Sequence, residues 1–328
     1  MTDEQMTRRA PDPTVPRRVP WAAVAVFVAL AWGLAWLVVL PLWLGDGLAS
    51  PLAAVLVPAM MWTPAVAAVI VMFAMRVPRS QRLRFLGVRP LRPAGRLVLF
   101  LAIALVLPIA VVAATILLAA ALGLVRLDLV EFSGFAEQLA ATVPPGTALP
   151  PVGLLVAIQL ASIPMGAVLN SVVALGEELG WRGWLQQALL PLGTWPALLL
   201  TGVVWGLWHA PVILLGYNFG RPDVTGLILM VGGCVAWGVL LGWLRLRSAS
   251  LWPAVLAHGS LNAVGALVLL VAAAGAQPDL AVVGPLGLIA WAVLAVVVVA
   301  IALLRQFRAG APAAEPLRAD AAATEEAR

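Results

Sequence analysis

Long runs of apolar residues, separated by short polar or charged segments, recur along the whole chain. A helix of about 20 apolar residues is long enough to cross the hydrocarbon core of a bilayer. The runs therefore predict an all-α fold, a polytopic integral membrane bundle of about eight transmembrane helices. The predicted spans are residues 21–44, 51–75, 97–124, 152–181, 195–216, 226–244, 251–274 and 281–304.

The composition agrees with a membrane protein. Hydrophobic residues make up 63% of the chain and charged residues 11%, and the mean hydropathy is +1.03. A soluble domain could not cover so much apolar surface with polar side chains, so the expected partner is the lipid bilayer. A multi-pass protein of the cell membrane is predicted. Nucleic acid is not an expected partner, because the chain has no basic folded domain or stripe.

The arginines predict the orientation of the bundle. If the N-terminus is cytoplasmic, eighteen of the twenty arginines fall on the cytoplasmic side. Positive charge is enriched in cytoplasmic loops, and an even number of spans returns the chain to its starting side. Both termini are therefore expected in the cytoplasm. The most basic loop joins the second and third spans and carries Arg76, Arg79, Arg82, Arg84, Arg89, Arg92 and Arg96.

The chain divides into tails and membrane regions. Residues 1–20 and 309–328 are rich in Ala, Pro and charge, and they are predicted to be disordered cytoplasmic tails. Residues 21–150 form an N-terminal transmembrane region of three spans. Residues 151–275 hold the polar groups predicted inside the membrane, and residues 276–308 contain the last span.

Few polar side chains fall within the predicted spans. Of the fifteen acidic residues, only two adjacent glutamates do so, whereas both histidines of the chain lie within spans. A charged group inside a membrane is costly and usually functional. The short set is Asn170, Glu177, Glu178, Arg182, His209, His258 and Asn262.

The spacing of these residues places them on helix faces. Glu178 and Arg182 are four apart, so they share a face and can pair, while Glu177 is turned about 100° away. His209 lies four residues after an aromatic, and His258 four residues before an amide. Three helices thus present polar faces, which predicts one shared cavity. The depths of these residues in the bilayer agree best if the fourth helix continues through Trp184 to about Leu189. The site is then expected in the cytoplasmic half of the bilayer.

Two kinds of chemistry are compatible with these residues. Two histidines and a carboxylate are common ligands of a catalytic zinc with an open position. The same groups can hold a water between Glu177 as general base and a histidine, with Asn262 as an oxyanion donor. The soluble metallopeptidase pattern HExxH is absent. The residues alone leave both alternatives open.

Three motifs together resemble those of a known family. The chain reads E-E-L-G-W-R at 177–182, W-G-L-W-H at 205–209 and H-G-S-L-N at 258–262. This order resembles the CAAX-protease and bacteriocin-processing (CPBP, or Abi) intramembrane peptidases, whose pattern is EExxxR, aromatic-xxx-H and HxxxN. Many members have Phe where this chain has Trp205. The resemblance covers about residues 150–275, so residues 151–275 are interpreted as a CPBP-like catalytic core.

The resemblance implies a role for each motif residue. Glu177 would activate a water together with His209, while His258 and Asn262 would hold the oxyanion. By the same resemblance, the side chains of the remaining motif pair, Glu178 and Arg182, would orient the site.

Both glutamate-dependent and metal-dependent mechanisms have been described for the family. If a divalent metal such as zinc binds, the candidate ligands are Glu177, His209 and His258. The implied activity is an intramembrane endopeptidase, and the implied partner is a hydrophobic peptide or membrane-protein substrate, membrane-embedded or lipidated. The alternatives are a non-enzymatic scaffold or bacteriocin-immunity protein and, less favoured, a proton-coupled transporter.

Other residues near the motifs receive structural interpretations. Asn170 fits no motif and is expected to form an interhelical hydrogen bond. Trp205 and Cys234 are assigned to packing. Tyr217 and Asn218 are assigned to an outer loop without a functional signal.

Overall fold

The computed structural model of the chain describes residues 16, 18–91, 93–144 and 149–307. Most of these residues are helical, and the only β-type pairing among them is an isolated antiparallel bridge between Leu127 and Ala272. The predicted disorder of the two tails falls almost entirely outside the described residues. The helices are α1 (Trp21–Trp43), α2 (Ala53–Met60), α3 (Thr63–Ala74), α4 (Arg79–Phe85), α5 (Ala94–Ala121), α6 (Ser133–Thr142), α7 (Val152–Glu178), α8 (Gln186–Leu189), α9 (Thr194–Trp208), α10 (Ala210–Ile213), α11 (Val224–Ser248), α12 (Trp252–Ala263), α13 (Leu267–Val271), α14 (Leu280–Val283) and α15 (Leu288–Leu303).

Seven helical runs in this described part are long enough and apolar enough to cross a membrane. They coincide with seven of the eight predicted spans, so the predicted polytopic helical bundle is confirmed. Large apolar side chains remain exposed on the outer faces, including Val168 and Val172 on α7 and Val296 on α15. Such surfaces are stable against lipid, where the helices satisfy their own backbone hydrogen bonds.

The remaining predicted span, the fifth in the chain at residues 195–216, differs from the prediction. Its helix α9 ends at Trp208, and the short helix α10 begins at Ala210. Pro211 lies in the first turn of α10, and a proline has no N–H with which to continue the preceding helix. His209 therefore lies where the helix is interrupted rather than in the middle of a continuous span.

The helix predicted at residues 152–181 is longer than that span. Beyond α7, the chain forms a π-helix at Leu179–Leu185 and then α8, which ends at Leu189. The whole apolar run extends over Val152–Leu192. The predicted continuation to Leu189 is confirmed.

Glycines allow the helices around the polar residues to approach closely. A Cβ atom built on Gly206 of α9 would lie 2.5 Å from the Cα atom of Val231 on α11. On α12, a Cβ atom at Gly259 would collide with the carbonyl oxygen of Ala167 on α7. Small residues at such crossings let membrane helices approach backbone to backbone. The pairs α9–α11 and α7–α12 are thus held at short range.

Two aspartates outside the membrane segments organise the loops. Asp223 caps α11, and the Thr225 hydroxyl together with the N–H groups of Gly226 and Thr225 holds the pKa of this carboxyl below its usual range. A side-chain hydrogen bond from Ser133, followed by backbone N–H donors, likewise holds the pKa of Asp128 well below its usual range. Both carboxylates are fixed in place by their neighbours.

We expect Gly259→Ala to lower the stability of the folded protein by about 1–3 kcal/mol, because the added methyl overpacks the α7–α12 crossing. Thermal unfolding of purified protein in detergent measures the effect. Gly166→Ala on α7 is the matched control, since its Cβ atom would make an ordinary 3.5 Å contact with Ala263. Equal unfolding temperatures for the two variants would contradict the close crossing.

Candidate active site

The two adjacent glutamates lie at the end of α7 and are buried, with Glu177 1% and Glu178 0% exposed. Glycines flank them in the sequence. A Cβ atom on Gly176 would lie 2.6 Å from the carbonyl oxygen of Met61, and one on Gly180 would collide with Pro64. The helix backbone therefore lies directly against the junction of α2 and α3, which excludes water and lipid from this side of the carboxylates.

The π-helix that follows places Arg182 in the interior. Arg182 is 0% exposed. Its neighbours Trp181 and Trp184 pack on Phe27 of α1, with ring centroids 5.6 and 4.7 Å from the Phe27 ring. Wide π-turns are rare and are frequently found at functional sites.

Glu178 is the centre of a buried polar network. Arg182 Nη1 donates to Glu178 Oε1 at 2.7 Å, so the predicted pair is formed. His258 of α12 places its Nδ1 atom 2.9 Å from the same carboxylate oxygen. Glu178 thus joins the end of α7 to α12, and its charge is opposed by that of Arg182.

Arg182 also contacts an aromatic ring. Its guanidinium carbon lies 4.3 Å from the centroid of Trp205 on α9, a cation–π arrangement. Within the described residues, Arg182 Nε and Nη2 have no hydrogen-bond partner. The indole face therefore offsets part of the cost of burying this cation.

Glu177 faces away from that pair, as its rotation on the helix predicts. Its Oε2 atom accepts a hydrogen bond of 2.5 Å from Trp205 Nε1. Trp205 is 2% exposed. A hydrogen bond to a carboxylate is stronger than one between neutral groups, so this contact holds the Glu177 side chain in one orientation.

His209 is oriented by the backbone of the preceding turn. Its Nδ1 atom lies 2.9 Å from the carbonyl oxygen of Trp205. Since a carbonyl oxygen only accepts, Nδ1 is the donor, and a neutral ring then has an acceptor lone pair at Nε2. The two histidines have different partners: the Nδ1 atom of His258 bonds a carboxylate, and the Nδ1 atom of His209 bonds a backbone carbonyl.

The motif residues from the three segments line one cavity of about 700 Å³. Glu177, His209, His258 and Asn262 all lie on its wall, so the structure brings the four predicted catalytic residues together. Most of the remaining lining is apolar. These residues include Leu48, Ala53, Val57, Pro58, Met61, Val173, Leu261, Leu269, Leu280 and Leu286.

The two asparagines differ in position. Asn262 is exposed on α12, one turn beyond His258, and reaches the cavity. Asn170 also lines the cavity, but its Nδ2 atom donates to the carbonyl oxygen of Gly166 at 2.8 Å, within its own helix. The predicted interhelical hydrogen bond of Asn170 is therefore wrong, because the amide reaches back one turn along α7.

Some residues at the site were not identified from the sequence. Trp205 was assigned to packing, yet its N–H contacts Glu177; a Trp in a position that is usually Phe was the available signal. Tyr217 and Asn218 also line the cavity. The chain folds back after the interruption at Pro211, and no local pattern reveals that return. Cys234 is buried, with its Sγ atom 3.8 Å from His209 Nδ1.

The tentative metal ligands were Glu177, His209 and His258. The part of the chain that the structure describes contains no group of three or more His, Cys, Asp or Glu side chains arranged to hold a metal ion. Glu177 Oε2 is held by an indole N–H, and both histidine Nδ1 atoms are bonded to protein oxygens. In this arrangement the three side chains do not form a preassembled ligand group. Glu177 Oε1 and the Nε2 atoms of the two histidines take part in none of these bonds.

We expect Glu178→Gln to cost about 3–5 kcal/mol of stability, because Arg182 would remain buried without its counter-charge. Thermal unfolding in detergent measures this loss. Asp279→Asn is the matched control, since its bridge to Arg221 is 42–45% exposed and a surface bridge contributes at most about 1 kcal/mol. If Glu178→Gln were no less stable than the control, the pair would not support the fold.

Comparison with known proteins agrees with this geometry. No curated protein was found to match the chain. Residues 159–264 match the sequence model of the family described as type II CAAX prenyl endopeptidase Rce1-like, and the matched segment contains all three motifs. The match supports an intramembrane protease in a lipid bilayer. Over residues 159–264 the chain is therefore similar to the Rce1-like CAAX endopeptidases, which confirms the predicted resemblance to the CPBP family.

Proposed function

We propose that the protein is an intramembrane endopeptidase that hydrolyses a peptide bond in a membrane-embedded or lipidated peptide or protein of the cell membrane. The observation that supports this most strongly is the convergence of Glu177, His209, His258 and Asn262 on one cavity. A general base, a second proton acceptor and two oxyanion donors are the parts that amide hydrolysis requires.

Glu177 would act as the general base. Its Oε2 atom is occupied by the indole N–H of Trp205, which leaves Oε1 for a water in the cavity. His209, with its Nδ1 donor bonded to a carbonyl, offers the Nε2 lone pair as a second acceptor for the same water. Two acceptors at one water align its lone pair for attack on a carbonyl carbon.

His258 and Asn262 would stabilise the oxyanion. The Glu178 carboxylate accepts from Nδ1 of His258, and in the proposed state the His258 ring carries a proton at Nε2 as well. Nε2–H is then a donor for the developing negative oxygen, and the Asn262 amide is a second. Loss of one such donor typically costs about 100- to 1,000-fold in kcat.

Glu178 and Arg182 would position the site rather than react. Their pair lies wholly inside the protein and fixes the ring of His258 through Oε1. The supporting role follows from burial, since neither side chain lines the cavity.

The substrate segment is expected to be apolar. The cavity wall away from the polar groups consists mainly of aliphatic side chains from α2, α7, α12 and α14, as described above. A hydrophobic peptide or a lipid-anchored segment buries its own apolar surface against such a wall.

We expect Glu177→Gln to abolish cleavage in cells, with a loss of at least about 100-fold, because the amide keeps the shape of the side chain but cannot take a proton. Comparing peptide termini between cells with wild-type protein and cells with the variant, at equal abundance, measures the loss and identifies the substrate. A terminus that disappears in the variant marks the cleavage site.

The matched control is Ser162→Ala, which removes an exposed hydroxyl from the same helix. The peptide termini in cells that carry this variant should equal those in cells with the wild-type protein. If Glu177→Gln also matched the wild type under several growth conditions while remaining folded, the scaffold or immunity alternative would replace the peptidase.

The metal-dependent alternative is tested separately. We expect 1,10-phenanthroline to leave cleavage in purified membranes within about twofold of its starting rate, because the proposed mechanism activates the water through Glu177 and His209 without a metal. The non-chelating 1,7-phenanthroline isomer is the control. Inhibition by the chelating isomer alone, reversed by added zinc, would establish the metal-dependent mechanism instead.

A further inference from the structure

We propose that Trp205 is a positioning residue, whose indole N–H holds the Glu177 carboxylate in the orientation required to activate water. The inference rests on the proposed function, because it concerns the base of that reaction. It goes beyond the packing role that an aromatic residue in this motif would otherwise have.

The contact itself is short and shielded. Trp205 Nε1 lies 2.5 Å from Glu177 Oε2, and both side chains are at most 2% exposed. Because Oε2 is shielded in this contact, that oxygen depends on the indole for a hydrogen bond, while Oε1 remains for the cavity. The bond also selects which oxygen remains available, since it occupies Oε2.

The indole is held on several sides. The Arg182 guanidinium lies over its ring at 4.3 Å, and the His258 ring meets it edge-on at a centroid distance of 5.4 Å. These contacts restrict rotation of the ring, which keeps the N–H directed at Glu177. The backbone carbonyl of Trp205 accepts from His209 Nδ1. One residue therefore orients both groups proposed to bind the water.

A phenylalanine would keep an aromatic ring at this position but remove the donor and some volume, and Trp237→Phe removes the same volume elsewhere. The cation–π contact with Arg182 and the edge contact with His258 need only an aromatic ring. The hydrogen bond to Glu177 needs the indole nitrogen. Trp205→Phe therefore separates the positioning role from packing.

The first test measures catalysis. Wild-type, Trp205→Phe and Trp237→Phe proteins in nanodiscs are assayed with an internally quenched, lipid-anchored peptide that carries the cleavage site found in cells. Trp237 is the matched control, because it is equally buried and donates to the Pro285 carbonyl at 2.8 Å rather than to a carboxylate. We expect Trp205→Phe to lower kcat by about 10- to 100-fold with KM unchanged.

The second test does not require turnover. The indole N–H resonances of ¹⁵N-tryptophan-labelled protein are recorded, and those of Trp205 and Trp237 are identified by their loss in the two Phe variants. We expect Glu177→Ala to move the Trp205 resonance upfield, as its acceptor is removed, and to leave the Trp237 resonance in place.

The outcomes separate this inference from the proposed function. A kcat for Trp205→Phe no lower than that of Trp237→Phe would overturn the positioning role even if the protein is a peptidase. If Trp205→Phe does not fold, the Glu177→Ala spectrum still decides, because a spectrum with every indole resonance unmoved would show that the hydrogen bond is absent. If the wild-type protein shows no cleavage but the Trp205 resonance moves in Glu177→Ala, the hydrogen bond is retained and the proposed peptidase activity is rejected.

Discussion

The ion pair between Glu178 and Arg182 fixes the arrangement of helices around the site. Both side chains are 0% exposed in a protein whose outer surface faces lipid. A charge removed from water is tolerated only when it is paired. Moving α7 by one turn, about 5.4 Å, against α12 and α9 would separate Glu178 from His258 and Arg182 from Trp205. Because His258 bonds Glu178 and Trp205 covers Arg182, α7, α9 and α12 share one register. The site is built on that shared constraint.

The two adjacent glutamates have different surroundings and different proposed roles. On a helix, neighbouring residues point about 100° apart, so one carboxylate faces the protein interior while the other faces the cavity. Glu178 binds Arg182 and His258, whereas Glu177 lines the cavity and accepts from Trp205. A single buried carboxylate could not both compensate Arg182 and remain free to accept a proton from water.

Local features of the chain were predictable, and contacts between helices were not. The apolar runs predicted the spans because hydropathy is a property of each segment alone, and i,i+4 spacing predicted the Glu178–Arg182 pair. The partner of Trp205 Nε1 depends on how α9 is rotated against α7 and against the π-helix at Leu179–Leu185 that follows it. No periodicity specifies that rotation. The interruption at His209 was signalled by Pro211, although the apolar composition of the segment favoured a continuous span.

Trp205, the aromatic residue of the second motif, affects how the proposed base Glu177 can hold a water among apolar side chains. A water in such a cavity is held only where two or more polar groups converge on it, and in the proposed mechanism those groups are Glu177 and His209. Each is oriented through Trp205, one by the indole N–H and the other by the backbone carbonyl. The water site is therefore as precise as the placement of this one residue. Arg182 restrains the indole, and Glu178 restrains Arg182. The buried ion pair therefore helps to orient the proposed reacting groups, Glu177 and His209, through Trp205.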